Sequence, residues 1–422
     1  MSLNNAFSLR SFIFAIIVSV LCPLWGCTKD EIFFNDANST SERYDTNRFD
    51  NSRYLINIEN NLVRAFLDTK YDSNDYTYTH VSDYVTIEQT ERKDIAEGIF
   101  LEWHNIEGSE STHIVYATNP DFEEAITIIV NKGSSSYKLC NLVPNQNYWL
   151  KIINNDTDII KQFSFATEGR RRLINLSIGF NCRDIGGVKT IDNRTIKYGL
   201  LFRGGELDGR GQVLEDYDHD VLENVLKIKD VFDFRAIDSA TKTPIVGAEY
   251  HSLPLYSMIG IYNRDNPELD STILNNYKAS LLILLNCLRE GHPVYAHCQG
   301  GCDRTNTMFF LIMGVLGVEE NDLALDYELS SFAQGARYAY NTTGGMIRSR
   351  DPSTNKYHNN YKNAVEYIKS KEGVTLKEKF ESFWINDLGV TREQIEELRS
   401  YLLDDFPEDN QTTSIPLITM DK

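Results

Sequence analysis

The stretch Pro293 to Val318, PVYAHCQGGCDRTNTMFFLIMGVLGV, constrains the fold more than any other part of the chain. Pro293 to His297 is short, apolar and preceded by Gly291, which predicts a buried strand. Cys298 to Arg304 is a tight loop with two glycines, and Thr305 to Leu316 is apolar enough and long enough for a buried helix. Such a strand, loop and helix N-terminus make an anion site. The loop amides turn inward, and the first helical turn leaves its own N–H groups unpaired. Gly300 and Gly301 allow the φ values such a loop needs. A cysteine at its mouth has its thiolate stabilised by those dipoles and by Arg304, which can also hold two oxygens of a phosphoryl group at once. The segment reads as a phosphate cradle with Cys298 at its base. The competing reading is a chance Cys–Arg spacing beside a buried strand.

The pattern His297-Cys298-x-x-Gly301-x-x-Arg304-Thr305 resembles the signature of the cysteine-dependent phosphatases, the protein tyrosine and dual-specificity enzymes. Upstream, Asn181-Cys182-Arg183-Asp184-Ile185-Gly186-Gly187 and Lys197 to Gly205 are similar to the N-F-R-D-x-G-G and G-x-x-(Y/F)-R-(S/G) elements of the bacterial members, with Cys182 in place of the usual aromatic. Lys229 to Arg235 resembles their V-(I/V)-D-L-R strand end, and Asp326 to Phe332 and Gly389 to Leu403 resemble their helical tail.

This resemblance implies an α/β domain with a mainly parallel sheet flanked by helices. It also implies attack of the Cys298 thiolate on a phosphomonoester to give a phosphocysteine. Arg304 and the loop from Gln299 through Gly300, Gly301 and Cys302 then hold the phosphoryl oxygens, and Thr305 eases departure of the thiolate. His297 either orients the loop or shuttles protons. Asn181, Arg183 and Asp184 support the site. Arg235, at a strand end, either faces the pocket as a substrate-binding residue or pairs with a nearby carboxylate. The general acid is Asp303 by this resemblance, with Asp265 and Asp270 as alternatives; capping of the following helix is the structural reading of Asp303. Two further positions depart from the pattern. Asn306 replaces a glycine, and Cys302 stands where phosphoinositide-preferring members carry lysine.

With 422 residues the chain has room for two cores, and a formal charge of −19 argues against a nucleic-acid or anionic-membrane surface. Arg10 precedes the apolar run Ser11 to Leu21, and Leu24-Trp25-Gly26-Cys27 resembles a bacterial lipoprotein lipobox. Thr28 to Glu31 is similar to the acidic export signals of surface lipoproteins. The expectation is an exported outer-membrane lipoprotein anchored through Cys27; the alternative is a signal peptide cut nearby with Cys27 incidental. Of seven cysteines, five lie beyond this segment, and their spacing matches neither a disulfide framework nor a zinc site with histidine. No metal and no cofactor is expected. Cys302 is either a small loop residue or the partner of Cys298 in a reversible, inactivating bond.

The expected organisation is a signal over 1–27, a flexible tether over 28–54, a helix plus sandwich over 55–168, the phosphatase-like domain over 169–410 and a tail over 411–422. Apolar residues from Ile56 to Leu67 fit one amphipathic helix. Seven β-type runs follow between 83 and 167, which predict an antiparallel all-β sandwich. Trp103 and Leu142-x-Pro144-x-x-x-Tyr148 resemble the core aromatic and tyrosine corner of fibronectin type III domains. The run Arg170-Arg171-Arg172 reads as a solvated linker or an anion-attracting patch. Ser271 to Arg289 reads as a helix capped by Asp270. The expected partner is a phosphorylated protein of the phosphotyrosine type or a small phosphate ester. The alternatives are a phosphoinositide or inositol-phosphate phosphatase, to which Arg337, Arg348 and Arg350 would speak, and a non-catalytic phosphate-binding lipoprotein.

Overall fold

The computed structural model describes residues 31–33, 43–45, 54–70, 83–85, 92–104, 111–155, 158–208, 213–235, 245–255, 267–333 and 359–405. The signal segment, the tail, Asp265, Arg337, Arg348 and Arg350 lie outside the described residues.

Within the stretch expected as a tether, Glu31–Phe33 (β1) pairs antiparallel with Arg43–Asp45 (β2). Tyr54–Asn57 (β3) then pairs in parallel with a later strand, and a helix follows at Asn61–Leu67 (α1). The single helix expected from Ile56 is thus split. The Asn60 side chain accepts from the Leu62 and Val63 amides and starts the helix there, leaving Tyr54 to Asn57 to the sheet. Ile99–Glu102 (β4), Thr112–Ala117 (β5), Ile126–Val130 (β6), Ser136–Leu139 (β7), Asn147–Asn154 (β8) and Asp158–Glu168 (β9) match six of the seven expected runs. Of the first run, residues 83–85 form a turn and the remainder lies outside the described residues.

A five-stranded sheet in the order β3-β9-β8-β5-β6 and the pair β4-β7 share one core. Alternation places Tyr148, Leu150 and Ile152 of β8 on its inner face, with Leu101, Trp103 and Phe165. The Tyr148 hydroxyl accepts from the Val143 amide at 2.9 Å, which ties the strand entry back on itself.

The second unit contains Arg183–Asp184 (β10), Leu201–Gly204 (β11), Asp216–Asp220 (α2), Asp230–Asp233 (β12), Glu249–Ser252 (β13) and Pro267–Arg289 (α3). Val294–His297 (β14), Arg304–Leu316 (α4), Glu320–Leu329 (α5), Asn359–Lys369 (α6), Leu376–Ser382 (α7) and Arg392–Leu402 (α8) complete it. The sheet order is β10-β11-β14-β12-β13, parallel except for β10. Every residue of the central strand β14 is buried, as its uninterrupted apolar sequence requires. Gly204, His297 and Asp233 share one register level, so three strands end together where the loop at Cys298 begins. Open parallel sheets bind ligands outside such strand ends. Because α3 starts at Pro267, Asp270 falls inside its first turn instead of capping it.

The arginine run is not a solvated linker. Arg171 and Arg172 are buried because partners meet them at the junction of the two units. Arg172 donates to the Asn141 carbonyl at 2.8 and 3.1 Å and reaches Asp184 at 3.4 Å, while Arg171 pairs with Asp322 at 3.6 Å. Val63, Phe66 and Leu67 of α1 pack with Leu325, Leu329 and Phe332, so an apolar contact joins the units as well.

Candidate active site

The loop after β14 is shaped from outside, through its carbonyls. The Gln299 carbonyl accepts from the Glu206 amide at 3.1 Å, that of Gly300 from Asn181 Nδ2 at 3.1 Å and that of Gly301 from Arg203 Nη2 at 2.8 Å. In a planar trans peptide the C=O and the following N–H point opposite ways. Holding three consecutive carbonyls outward therefore turns the amides of Gly300, Gly301 and Cys302 to the other side, into a row of donors for an anion. Of the two glycines only Gly301 has a positive φ, at 66°, and a Cβ there would stand 2.4 Å from the Gly204 carbonyl oxygen. Gly300 does not use the left-handed freedom expected of it.

Behind the loop lies a buried network. Asp326 accepts from Arg183 Nε at 2.9 Å and from Arg203 Nη1 at 2.8 Å, and Arg183 also donates to Asn181 Oδ1. One carboxylate thus fixes both arms that grip the loop. Although burial opposes it, the two guanidiniums hold the Asp326 carboxyl well below the usual carboxylate range. Asn306, the departure from the family glycine, is part of this network. Its Oδ1 accepts from Arg203 and from Ser330 Oγ, and its Nδ2 donates to the Tyr327 carbonyl at 3.0 Å. The first unit contributes too. Asp94, 2% exposed, accepts the Asn181 amide and pairs with Arg92 at 2.7 Å. In the sequence Arg203 and Asp326 stand out only as members of longer motifs, and Asp94 gives no signal at all, because nothing local links position 94 to position 181.

Cys298 is buried at the base of this loop. Burial pushes its thiol up, but Arg304 and the hydroxyl and amide of Thr305 outweigh it and bring the thiol below its ordinary value. Arg304 Nη1 donates to the Phe234 carbonyl at 3.2 Å, at the end of β12. His297 Nδ1 donates to the Cys298 carbonyl at 3.2 Å, and burial lowers its pKa, so the neutral ring braces the loop. Asp303 occupies the N-cap position of α4, yet its side chain makes no capping bond. A negative Asp303 opposes the lowering of the Cys298 thiol, behind burial, Arg304 and Thr305 in weight. Cys302 is buried with its Sγ 3.9 Å from Asp303 Oδ2, and both loop cysteines are free thiols.

Of the two expectations for Arg235, the structure shows the pairing with carboxylates and not the substrate-facing one: it is buried and engaged by Asp233 through Nε at 2.9 Å, Asp208 at 2.8 Å and Glu206 at 3.1 Å. Three anions around one guanidinium satisfy its donors on the protein side. Asp184 braces a turn, accepting the Gly186 and Gly199 amides at 2.8 and 2.7 Å, while Cys182 packs against Tyr295 with its Sγ 3.3 Å from the hydroxyl.

The Tyrosine phosphatase family matches this chain over residues 174–404. Among solved structures, the core catalytic domain of the PP-IP phosphatase SIW14 from S. cerevisiae in complex with citrate is similar at 15% identity, over 35% of this chain and 80% of that one. Its TM-score of 0.24 is too low to support any inference about this chain. No curated protein matches.

Proposed function

The chain belongs to the tyrosine phosphatase family and is a phosphatase, and from that premise we propose that it hydrolyses phosphomonoesters of the phosphotyrosine type through a phosphocysteine on Cys298. In the first step the thiolate forms a P–S bond as the P–O bond to the leaving group breaks, and Asp303 gives its proton to the leaving oxygen. In the second, Asp303 takes a proton from water, the water oxygen attacks phosphorus, and the P–S bond breaks with Thr305 donating to the departing thiolate. Arg304 and the inward amides hold the equatorial oxygens in both. The observation that carries this reading is a thiol of lowered pKa set beneath three amides whose carbonyls are tied outward.

The charge around the loop favours a monophosphate. Cys302 supplies no cation at its position, and Arg235 is neutralised by Asp233, Asp208 and Glu206. We further read residues 1–27 as an export signal with Cys27 as its lipid anchor. The sandwich reads as a fibronectin type III-like module, supported by the Tyr148 hydrogen bond to Val143. Hydrolysis of a small aryl phosphate by the reduced full chain, compared with Cys298→Ser, tests the mechanism. Activity lost in the variant is expected, and activity that survives it refutes the cysteine mechanism.

A further inference from the structure

A second cluster of reactive side chains lies at the other end of the same sheet. Asp230 opens β12, His251 lies on β13 and Cys287 stands in the last turn of α3. One ligand atom from each, a carboxylate oxygen, an imidazole nitrogen and a sulfur, lies within 4.8 Å of the other two. His251 Nε2 is 2.7 Å from Asp230 Oδ1, and His292 Nδ1 is 2.8 Å from Oδ2 of the same carboxylate. The His292 amide donates to the Cys287 carbonyl at 2.9 Å, so the chain turns back beside the cysteine as the helix ends.

Three properties set this cluster apart from an ordinary polar contact. Asp230 is 2% exposed and Cys287 5%. Among the described residues, the ion-pair partners of Asp230 are histidines, with no lysine or arginine among them. Each Asp230 oxygen meets an imidazole nitrogen and a thiol stands beside them, a donor set that a divalent cation can gather once it displaces the imidazole and thiol protons. The donors also come from three separate segments, which is why no Cys–His spacing in the sequence announced them.

We propose that Asp230, His251 and Cys287 form a divalent-metal site, with His292 as the residue that orients the Asp230 carboxylate. One thiolate, one imidazole and one carboxylate suit a borderline-soft ion of the zinc class and exclude the all-oxygen preference of calcium and magnesium. A dication bound by a thiolate, a carboxylate and a neutral imidazole leaves the buried cluster with no net charge. His292, donating to the outer carboxylate oxygen, is the kind of outer-shell partner that fixes a metal-bound carboxylate. The register puts Asp230 level with Val294, three residues before the level of Asp233 and His297, so the site sits about 10 Å of strand rise from the phosphate loop. Its role is to clasp β12, β13 and α3 together, outside the chemistry at Cys298.

The test is a cobalt(II) titration of the full chain, stripped with chelator and kept reduced, with folding followed by circular dichroism. We expect about one equivalent to bind with tetrahedral visible bands and a thiolate-to-cobalt charge-transfer band in the near ultraviolet. Cys287→Ser removes the charge-transfer band, Cys298→Ser keeps it, and competing zinc abolishes it. His292→Gln retains the band with affinity roughly 10–100-fold weaker. Should Cys287→Ser fail to fold, loss of stoichiometric binding in His251→Gln serves in its place. No stoichiometric band in the folded wild type, or a band that persists in Cys287→Ser or His251→Gln, overturns the proposal. Activity enters none of these readouts, so the outcome stands apart from that of the phosphatase mechanism.

Discussion

Asp326→Asn keeps the shape of the side chain and removes the one charge that binds both Arg203, which grips the loop, and Arg183, which holds the loop-gripping Asn181. The side chains of Arg183 and Arg203 are each 1% exposed and meet Asp326 at 2.9 and 2.8 Å. Burial and the neighbouring Arg183 already push the Arg203 guanidinium down, with Asp326 opposing them. Breaking a buried ion pair from one side costs about 3–5 kcal/mol, because the remaining charge stays buried. For a domain of this size each kcal/mol moves the midpoint about 2–4 °C, so thermal unfolding near neutral pH should fall by about 6–20 °C. The pH dependence has a definite sign. The folded Asp326 carboxyl lies below its unfolded value of about 3.9, so its contribution is complete above that pH and is lost as pH falls through the lower folded value. The gap between variant and wild type should therefore stay constant down to about pH 5 and narrow only in stronger acid. Near-ultraviolet circular dichroism melts across pH measure both. A shift under about 3 °C at neutral pH, or a gap that closes above about pH 5, refutes the reasoning.

Asp303→Asn should slow hydrolysis of an alkyl phosphate about 10²–10⁴-fold and of a nitrophenyl phosphate far less, since only the poor leaving group needs the proton. Equal losses on the two substrates would remove Asp303 as the acid. The Cys298 thiolate absorbance near 240 nm, taken as wild type minus Cys298→Ser, should titrate below the ordinary thiol value of about 8.5, and Arg304→Ala should move it upward. An unmoved midpoint in that variant contradicts the stated cause. Asp94→Ala removes the acceptor of the Asn181 amide and leaves Arg92 without its carboxylate, at a cost of about 1–3 kcal/mol. It should lower kcat/KM and loosen inorganic phosphate binding, measured by calorimetry, although it lies outside residues 174–404. Unchanged phosphate affinity would show that the first unit does not brace the loop.

Much was legible in the chain because the chemistry is local. A buried strand, a glycine-bearing turn and an apolar helical run that follow one another within one short stretch dictate the strand–loop–helix seen at Cys298. The strand alternation of β8 and the uninterrupted apolar sequence of β14 were readable for the same reason, since periodicity reports which faces are covered. Other readings failed where a distant partner changed the balance. Arg171 and Arg172 look like solvent-facing charges until Asp322, Asp184 and the Asn141 carbonyl arrive to receive them. Arg235 looks like a substrate ligand until three carboxylates surround it.

The sequence by itself determined the strand–loop–helix and the placing of Cys298 and Arg304 on it, because each depends on neighbours along the chain. Only the tertiary structure decided what aims the loop amides and what clusters around Asp230. Asp94, Asn181, Arg203, Asp326 and Gly301 come from separate segments, as do Asp230, His251 and Cys287. Burial makes their charges and hydrogen bonds count only once folding has taken water away from them.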